Sequence, residues 1–368
     1  MNENNMTVGL LLNVMVALAM MGDDDKCTIS GHIEGVENDT QAYVLRLGGG
    51  LKRDTVQRAE VKDGKFVLQL DSKYFGEAYE MAIGKNPAHF TFFAERGNVV
   101  VKGNDKELFF AEVTGTRAND EYNLYRRNVA KSSQDRDREI TAKDMSGLDE
   151  KQKKARRNEI FAKYDAIMDK HVTDMIGDGT SLAALFAFWQ KMMMYSADQI
   201  DATLKLFKPC MASSKYYQGL VKRAATIRGT SVGAVAPKFS GITPDGKPLS
   251  IDDMRGKYFI LDFWASWCRP CRAEGKNIKA IYEQLKGKNF DVLSVSSDQD
   301  EAAWRKAMQE DGMTWKQLLL VGENQKKVYG QYGIIGIPAI WVVDPNGKII
   351  AKQLRGDKLK QFCLDLFK

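Results

Sequence analysis

The chain has 368 residues, and at roughly 150 residues per domain this length suggests two or three domains. Hydrophobic residues make up 44% and charged residues 28% of the chain, which is typical of a folded globular protein and excludes a disordered chain. The net charge of +6 is spread along the chain, so nucleic acid is not an expected partner. Five cysteines are too few for a fold that is held together by disulfides. A functional cysteine pair is therefore expected to act as a reactive group.

The N-terminal region has the pattern of an export signal. Residues 8–21 form an apolar run that is shorter than the about 18 to 20 residues of a membrane-crossing helix and fits a signal-peptide core. Small residues at its end predict cleavage near Ala19, so residues 1–19 are interpreted as a signal peptide, cleaved or retained as an anchor, and the protein is expected in the periplasm or cell envelope. The start contains Glu3 and no Lys or Arg, which departs from the usual signal. Cys27 follows charged residues, which argues against lipid attachment.

Residues 27–115 predict a small all-β N-terminal domain. Short β-type segments such as residues 42–45 and 65–70 are separated by turn signals, among them residues 48–50 and Asp63–Gly64. The segments GHIEGV, VKDGKFVLQL, FFAERGNVVVKG and EVTGTRAND together resemble the β-domain that precedes thioredoxin-like domains in many Bacteroidetes envelope proteins. This resemblance carries no catalytic motif.

Residues 117–230 predict a helical segment, because long charged stretches contain apolar residues near the 3.6-residue period, such as Ile160 and Tyr164. Within it, residues 182–195 read LAALFAFWQKMMMY. A membrane or cofactor contact is one interpretation of this apolar run. A buried helix is the better one, because the run is too short to span a bilayer and includes Lys191.

Residues 232–368 predict an alternation of strands and helices. Residues 258–264 form a nearly continuous apolar run, as expected for a strand that is buried on both faces. The elements predicted after it are a helix that begins at or just after residue 268, a strand at 290–295, a helix at 301–310, a strand near 315–320, a helix at 324–332, a hairpin of 340–343 and 348–352, and a helix from about 357.

The sequence CRPC at residues 268–271 follows the apolar strand directly. Ile278, Ile281 and Leu285 recur at helical spacing and share one face, so a helix begins at or near the first cysteine. A CxxC pair can be half of a zinc site, which needs two further Cys or His ligands at suitable spacing. The chain has no second CxxC, and its three histidines lie outside this segment. No metal is therefore expected.

The motif DFWASWCRPC, followed later by GIPAIWVVDPNGK, resembles the thioredoxin fold and most closely the envelope thiol-disulfide oxidoreductases of the TlpA/ResA type. The resemblance implies an α/β thioredoxin-like C-terminal domain that exchanges dithiols and disulfides. Among reduction, oxidation and isomerisation, it favours reduction of disulfides in partner proteins of the cell envelope, including those of apocytochromes during c-type cytochrome maturation, and it implies an upstream thiol electron donor. No cofactor is expected apart from the cysteine pair itself.

The CxxC spacing assigns different roles to the two cysteines. Cys268 is the expected nucleophile, because the free N–H groups and positive end of a helix N-terminus favour a thiolate there. Arg269 is expected to lower the pKa of this thiol further. Cys271 lies about one turn inside the helix and is expected to resolve the mixed disulfide.

The resemblance implies further site residues. Asp262 matches a buried acid whose raised pKa lets it accept the proton of Cys271; the alternative is a capped or solvent-facing strand residue. Ile337–Pro338 matches a cis-proline loop that packs against the sulfurs and pairs with an extended substrate; the alternative is an ordinary trans proline. The residues expected to receive the partner are Trp267, Arg269, Pro270, Ile337 and Pro338.

One alternative class of protein remains, and a second is argued against by the sequence. A binding or scaffold protein would use its β-domain for recognition and would keep the CxxC pair as a structural disulfide. A peroxidase is not expected, because peroxiredoxins of this fold place Thr three residues before the reactive cysteine, where this chain has Ala265. Cys363 is predicted to be an inert buried thiol, and Cys27 and Cys210 are left unassigned.

Overall fold

A computed structural model of the protein describes residues 25–47, 55–141 and 145–368. The predicted signal peptide at residues 1–19 lies outside the described residues. The chain divides into two compact units. The first unit runs to Met194 and includes Ala202–Gly219, and the second unit combines Tyr195–Asp201 with Leu220–Lys368. The predicted helical segment is therefore shared between the two units.

The first unit contains two four-stranded sheets, with strand orders β4-β1-β7-β8 and β3-β2-β5-β6. Strands β1 and β7 pair in parallel, and the other neighbours are antiparallel. Buried side chains of both sheets form one hydrophobic core, so the all-β prediction for this region is confirmed. The strands are β1 Lys26–Glu34, β2 Thr40–Arg46, β3 Thr55–Val61, β4 Lys65–Asp71, β5 Glu77–Ile83, β6 His89–Ala94, β7 Gly97–Asn104 and β8 Glu112–Thr114.

Helices follow the sheets in the chain, as predicted. Helix α3 buries every residue from Ala183 to Phe188, so the interpretation of a buried helix is confirmed for the first part of this apolar run. The helix ends at Gln190, and the rest of the run forms a short 3-10 turn at Met192–Met194 that buries no residue. In the described part of the chain, no helix combines the length and the apolar character that crossing a membrane requires. The helices are α1 Arg117–Thr141, α2 Glu150–Ile176, α3 Leu182–Gln190, α4 Ala197–Leu204 and α5 Lys215–Gly229.

The second unit alternates strands and helices, and the elements predicted after residue 258 all form, with their ends within about two residues of the predicted ones. The short strands β9 and β10 were not predicted. The strands are β9 Ser240–Ile242, β10 Pro248–Ser250, β11 Tyr258–Trp264, β12 Phe290–Ser296, β13 Lys316–Leu319, β14 Ala339–Val343 and β15 Ile349–Lys352. The helices are α6 Arg269–Gln284, α7 Glu301–Asp311, α8 Gly322–Tyr332 and α9 Gly356–Asp365.

These strands form one seven-stranded sheet with the order β10-β9-β13-β12-β11-β14-β15. Strand β11 lies inside it, parallel to β12 and antiparallel to β14. On one face Ile260 and Trp264 pack into a core with helices α6, α7 and α9. On the other face Phe259, Leu261 and Phe263 pack with helix α8. Because both faces of β11 are covered, its sequence is apolar at nearly every position, with Asp262 as the one acidic residue.

Candidate active site

The CRPC motif lies where strand β11 passes into helix α6. Cys268 is the N-cap residue of α6, with extended backbone angles (φ −85°, ψ 94°), and its Sγ accepts a hydrogen bond from the backbone N–H of Cys271 at 3.2 Å. Pro270 stands in the first turn, where its missing N–H is not needed. The predicted start of the helix is therefore confirmed, and the first sulfur lies among N–H groups that favour a negative charge.

The two sulfurs of the motif are bonded to each other, with an S–S distance of 2.06 Å. Cys268 is 5% exposed and Cys271 is 3% exposed, whereas the neighbouring Trp267 is 70% exposed. Arg269 and Pro270 are also exposed. The disulfide is thus nearly covered by protein, and residues on its rim are open to an approaching partner.

The loop between α8 and β14 lies against the disulfide. The Ile337–Pro338 peptide bond is cis, and the carbonyl oxygen of Ile337 lies 3.7 Å from Sγ of Cys268. Arg355, just before α9, donates a hydrogen bond to the carbonyl of Pro338 at 2.5 Å. The backbone of this loop is therefore held beside the first sulfur of the motif.

Asp262 is buried in the middle of strand β11, with 3% of its surface exposed. Strand alternation places it on the same face as Trp264, which packs in the core cluster that contains Cys271. The hydroxyl of Ser294 donates a hydrogen bond to Oδ2 of Asp262 at 3.1 Å, and Nε1–H of Trp315 donates to Oγ of Ser294 at 2.8 Å. The solvent-facing alternative for this carboxyl therefore does not hold.

The buried environment changes the acidity of Asp262. Burial raises its pKa to about 7; the hydrogen bond from Ser294 and the charge of Arg355 lower this pKa, and the charge of Glu274 raises it. Burial has the largest effect because a charged carboxylate is poorly solvated inside the protein. A carboxyl group with this pKa can both accept and give up a proton near neutral pH.

Three of the residues around Asp262 were missed by the sequence analysis: Ser294, Glu274 and Arg355. Glu274 is 8% exposed and accepts a hydrogen bond from the N–H of Gly356 at 2.8 Å. A signal for it was present, because position 274 falls on the apolar face defined by Ile278 and is acidic. Ser294 lies in a fully buried strand, and nothing local in the sequence indicates that its hydroxyl meets a carboxylate on the neighbouring strand.

A second buried carboxylate anchors the turn that precedes the motif. Asp298 is 2% exposed. It accepts hydrogen bonds from the N–H of Ser266 at 2.9 Å, from the hydroxyl of Ser266 at 2.6 Å and from the hydroxyl of Ser296 at 2.6 Å. The turn between β11 and Cys268 is thus tied to the end of strand β12.

Replacement of Asp298 by Ala is expected to lower the free energy of unfolding by about 2–4 kcal/mol, because buried donors lose a charged acceptor. It is also expected to slow alkylation of Cys268 in the reduced protein, because the turn that places this thiol is released. Urea unfolding and iodoacetamide kinetics measure the two effects. Asp300 is the matched control, since it caps α7: Asp300→Ala should cost about 1 kcal/mol and leave the alkylation rate unchanged. Equal alkylation rates in both variants would contradict the positioning role.

The remaining cysteines do not join the site. Cys27 and Cys363 are buried and Cys210 is exposed, and all three are free thiols. Burial raises the pKa of Cys27 to about 11 and that of Cys363 to about 12, which makes both thiols unreactive near neutral pH. Cys363 is therefore buried as predicted. Across the described ranges, no group of three or more His, Cys, Asp or Glu side chains is arranged to hold a metal ion.

Comparison with known proteins separates the chain into two parts. Residues 232–352 match the AhpC/TSA family, and residues 27–122 match a domain of unknown function, DUF4369. Over 130 residues the chain is 27% identical to the thiol-disulfide oxidoreductase ResA of Bacillus thuringiensis (strain Al Hakam), which covers 35% of this chain and 73% of that protein. The ResA of Bacillus subtilis (strain 168) is 26% identical over 120 residues, covering 33% of this chain and 65% of that protein. The solved thioredoxin domain of a thiol-disulfide oxidoreductase from Bacteroides vulgatus is 40% identical, covers 38% of this chain and 99% of that chain, and has a TM-score of 0.37.

The segment that matches AhpC/TSA begins just before β9 and ends with β15, so it contains the bonded cysteine pair, Asp262 and the Ile337–Pro338 loop. The predicted fold class, an α/β thioredoxin-like domain after an all-β region and a helical segment, is confirmed. The second unit of this chain therefore contains a thioredoxin-like domain of the AhpC/TSA family, whose curated homologues include the ResA thiol-disulfide oxidoreductases.

Proposed function

We propose that the Cys268–Cys271 pair reduces disulfides of partner proteins in the cell envelope. The observation that carries this proposal is the bonded pair at the N-terminus of α6, with the buried carboxyl of Asp262 on the same side of the sheet. The pattern of an export signal at residues 1–19 supports the location. The resemblance to the TlpA/ResA group supports reduction as the direction and the disulfides of apocytochromes c as one substrate class.

The first step uses the dithiol form of the pair. The thiolate of Cys268, stabilised by the N–H of Cys271, attacks one sulfur of the partner's disulfide. A new S–S bond forms between Cys268 and the partner while the partner's own S–S bond breaks. The other partner sulfur leaves as a thiolate and takes up a proton from solvent.

The second step releases the partner. Cys271 passes its proton to the carboxylate of Asp262, and its thiolate attacks Sγ of Cys268. The Cys268–Cys271 bond forms, the mixed disulfide breaks, and the second partner sulfur leaves as a thiolate that takes up the proton released by Cys271. Two electrons have then moved from the protein to its partner, with one proton from Cys271 and one from solvent. Two thiols of an electron-donor protein restore the dithiol form by the same exchange in reverse, so no separate cofactor is needed.

The residues around the disulfide would hold the partner during these steps. An extended segment of the partner can pair with the backbone of Ile337, which would bring its cysteine close to Sγ of Cys268. The exposed ring of Trp267 offers apolar contact area on the other side. Arg269 and Pro270 would complete the rim.

The reduction potential of the Cys268–Cys271 pair tests the proposal. The full chain would be titrated with glutathione and dithiothreitol buffers while tryptophan fluorescence is followed. We expect a value between about −230 and −300 mV, as for reductases, whereas a value near about −120 mV would make the protein an oxidant. A pair that resists reduction below about −300 mV would be a structural disulfide, and the scaffold interpretation would replace the proposal.

A further inference from the structure

A surface groove of about 410 Å³ opens beside the disulfide, along the first two turns of helix α6. We call it the α6 groove. It is adjacent to Cys268 in the chain, since Ser266, Trp267 and Arg269 form one end of it. The residues that line it are Ser266, Trp267, Arg269, Arg272, Ala273, Lys276 and Asp311.

The cationic side chains of the α6 groove differ in whether they have an ion-pair partner. Arg272 is already paired, because its guanidinium contacts Asp311 with a bond of 2.9 Å and Glu310 with another of 2.9 Å. Arg269 and Lys276 are exposed and have no ion-pair partner within the part of the chain that the structure describes. The carboxylate in the lining, Asp311, is paired with Arg272, so the guanidinium offsets its negative charge. Two unpaired cations therefore remain in the groove.

The groove is within reach of a partner that is attached to Cys268. Lys276 lies eight residues further along the chain, which is roughly 12 Å along a helix axis. An extended segment advances about 3.3 Å per residue, so it covers this distance in about three or four residues. The exposed indole of Trp267 also lines the groove and offers such a segment apolar contact.

We propose that the α6 groove binds an acidic side chain of the partner polypeptide, placed about three or four residues from the cysteine that reacts with Cys268. The inference rests on the proposed exchange at Cys268, and it names a class of substrate for it: disulfides flanked by Asp or Glu. Charge complementarity with Arg269 and Lys276 selects this class, and a basic flanking residue is disfavoured.

The test uses the reduced full chain and symmetrical disulfide dimers of a ten-residue peptide with one cysteine. Three versions of the peptide carry Glu, Gln or Lys four positions after the cysteine. A second set of three carries the same residues four positions before the cysteine. Each turnover oxidises the Cys268–Cys271 dithiol and releases two peptide thiols, which are quantified after acid quenching. At low ionic strength we expect the Glu peptide to react about fivefold faster than the Lys peptide in at least one set. The difference should vanish in high salt.

Two charge-reversal variants separate the groove from the net charge of the protein. Lys276→Glu should abolish the preference for the Glu peptide over the Lys peptide, because it leaves one positive and one negative charge in the groove. Lys286→Glu changes the net charge equally, at an exposed position just beyond the end of α6, and should leave the order unchanged. Equal rates for all three peptides, or the same shift in both variants, would overturn the inference. If no peptide oxidises the dithiol at all, the proposed function itself fails.

Discussion

In a Cys268→Ser protein, thiol-disulfide exchange is expected to fall to the rate of the uncatalysed reaction, whereas Cys271→Ser is expected to stop the reaction halfway with the partner covalently attached. The difference follows from position. Sγ of Cys268 is the N-cap atom that receives a backbone N–H and lies beside the carbonyl of Ile337, so attack on a partner begins there. Cys271 enters only when the mixed disulfide is resolved.

Mass spectrometry of the intact protein measures this outcome. After mixing with a disulfide-bonded peptide, Cys271→Ser should gain the mass of one peptide, and the adduct should disappear on addition of dithiothreitol. Cys268→Ser should gain no peptide when it is made in a Cys210→Ser background, which removes the exposed free thiol. Cys210→Ser is the control, because Cys210 is an exposed free thiol outside the second unit; this variant should turn over at the normal rate. A stable adduct on Cys268→Ser would reverse the assignment of the two cysteines.

Replacement of Asp262 by Asn is expected to slow the resolution of the mixed disulfide by about 100-fold at neutral pH, which is the usual contribution of a positioned general base. In the wild type the resolution rate should rise with pH and level off above about 7, because the pKa of Asp262 is raised to about 7 and only its ionised form accepts a proton. In the variant the rate should keep rising towards the pKa of an ordinary thiol, about 8.5.

Rapid mixing of the reduced protein with a disulfide peptide separates the two steps, because the mixed disulfide accumulates only if resolution is slow. Ser294→Ala serves as a matched variant: it removes a hydrogen bond that favours the charged carboxylate, so the pH at which the rate levels off should move upward. A wild-type pH profile in both variants would exclude Asp262 as the base. A slower first step would indicate a general disturbance of the site instead.

The same carboxyl should affect stability in a definite direction. The folded pKa of Asp262, about 7, lies above its ordinary value of 3.8, so between these two pH values the folded state binds one proton more than the unfolded state. The free energy of unfolding of the oxidised protein should therefore fall as pH rises through this window, by about 1 kcal/mol per pH unit from this group. Asp262→Asn should remove that part of the slope, measured by urea unfolding at a series of pH values.

The elements of the second unit were predictable because their signals are local. The apolar run at 258–264 and the helical spacing of Ile278, Ile281 and Leu285 depend only on neighbouring residues in the chain. The CRPC motif adds a proline suited to a first helical turn. These local signals sufficed to place the cysteine pair at the junction of a strand and a helix.

The environment of the site was less predictable because it is built by contacts between distant parts of the chain. The bond from Ser294 to Asp262 joins neighbouring strands, and the anchoring of Ser266 by Asp298 joins a turn to the end of strand β12. Neither pair has a spacing that the sequence reveals. The division of the helical segment between two units also depends on packing, which composition does not show.

The burial of two of the three free thiols means that the oxidised protein can be labelled at a single cysteine. All five cysteines of the chain lie among the described residues, and in the oxidised fold Cys210 alone is both free and exposed, while Cys27 and Cys363 are buried. A maleimide dye added to the native oxidised protein should therefore attach at one position, in the first unit, and leave the disulfide intact. The same single thiol offers a defined point for immobilising the chain on a surface.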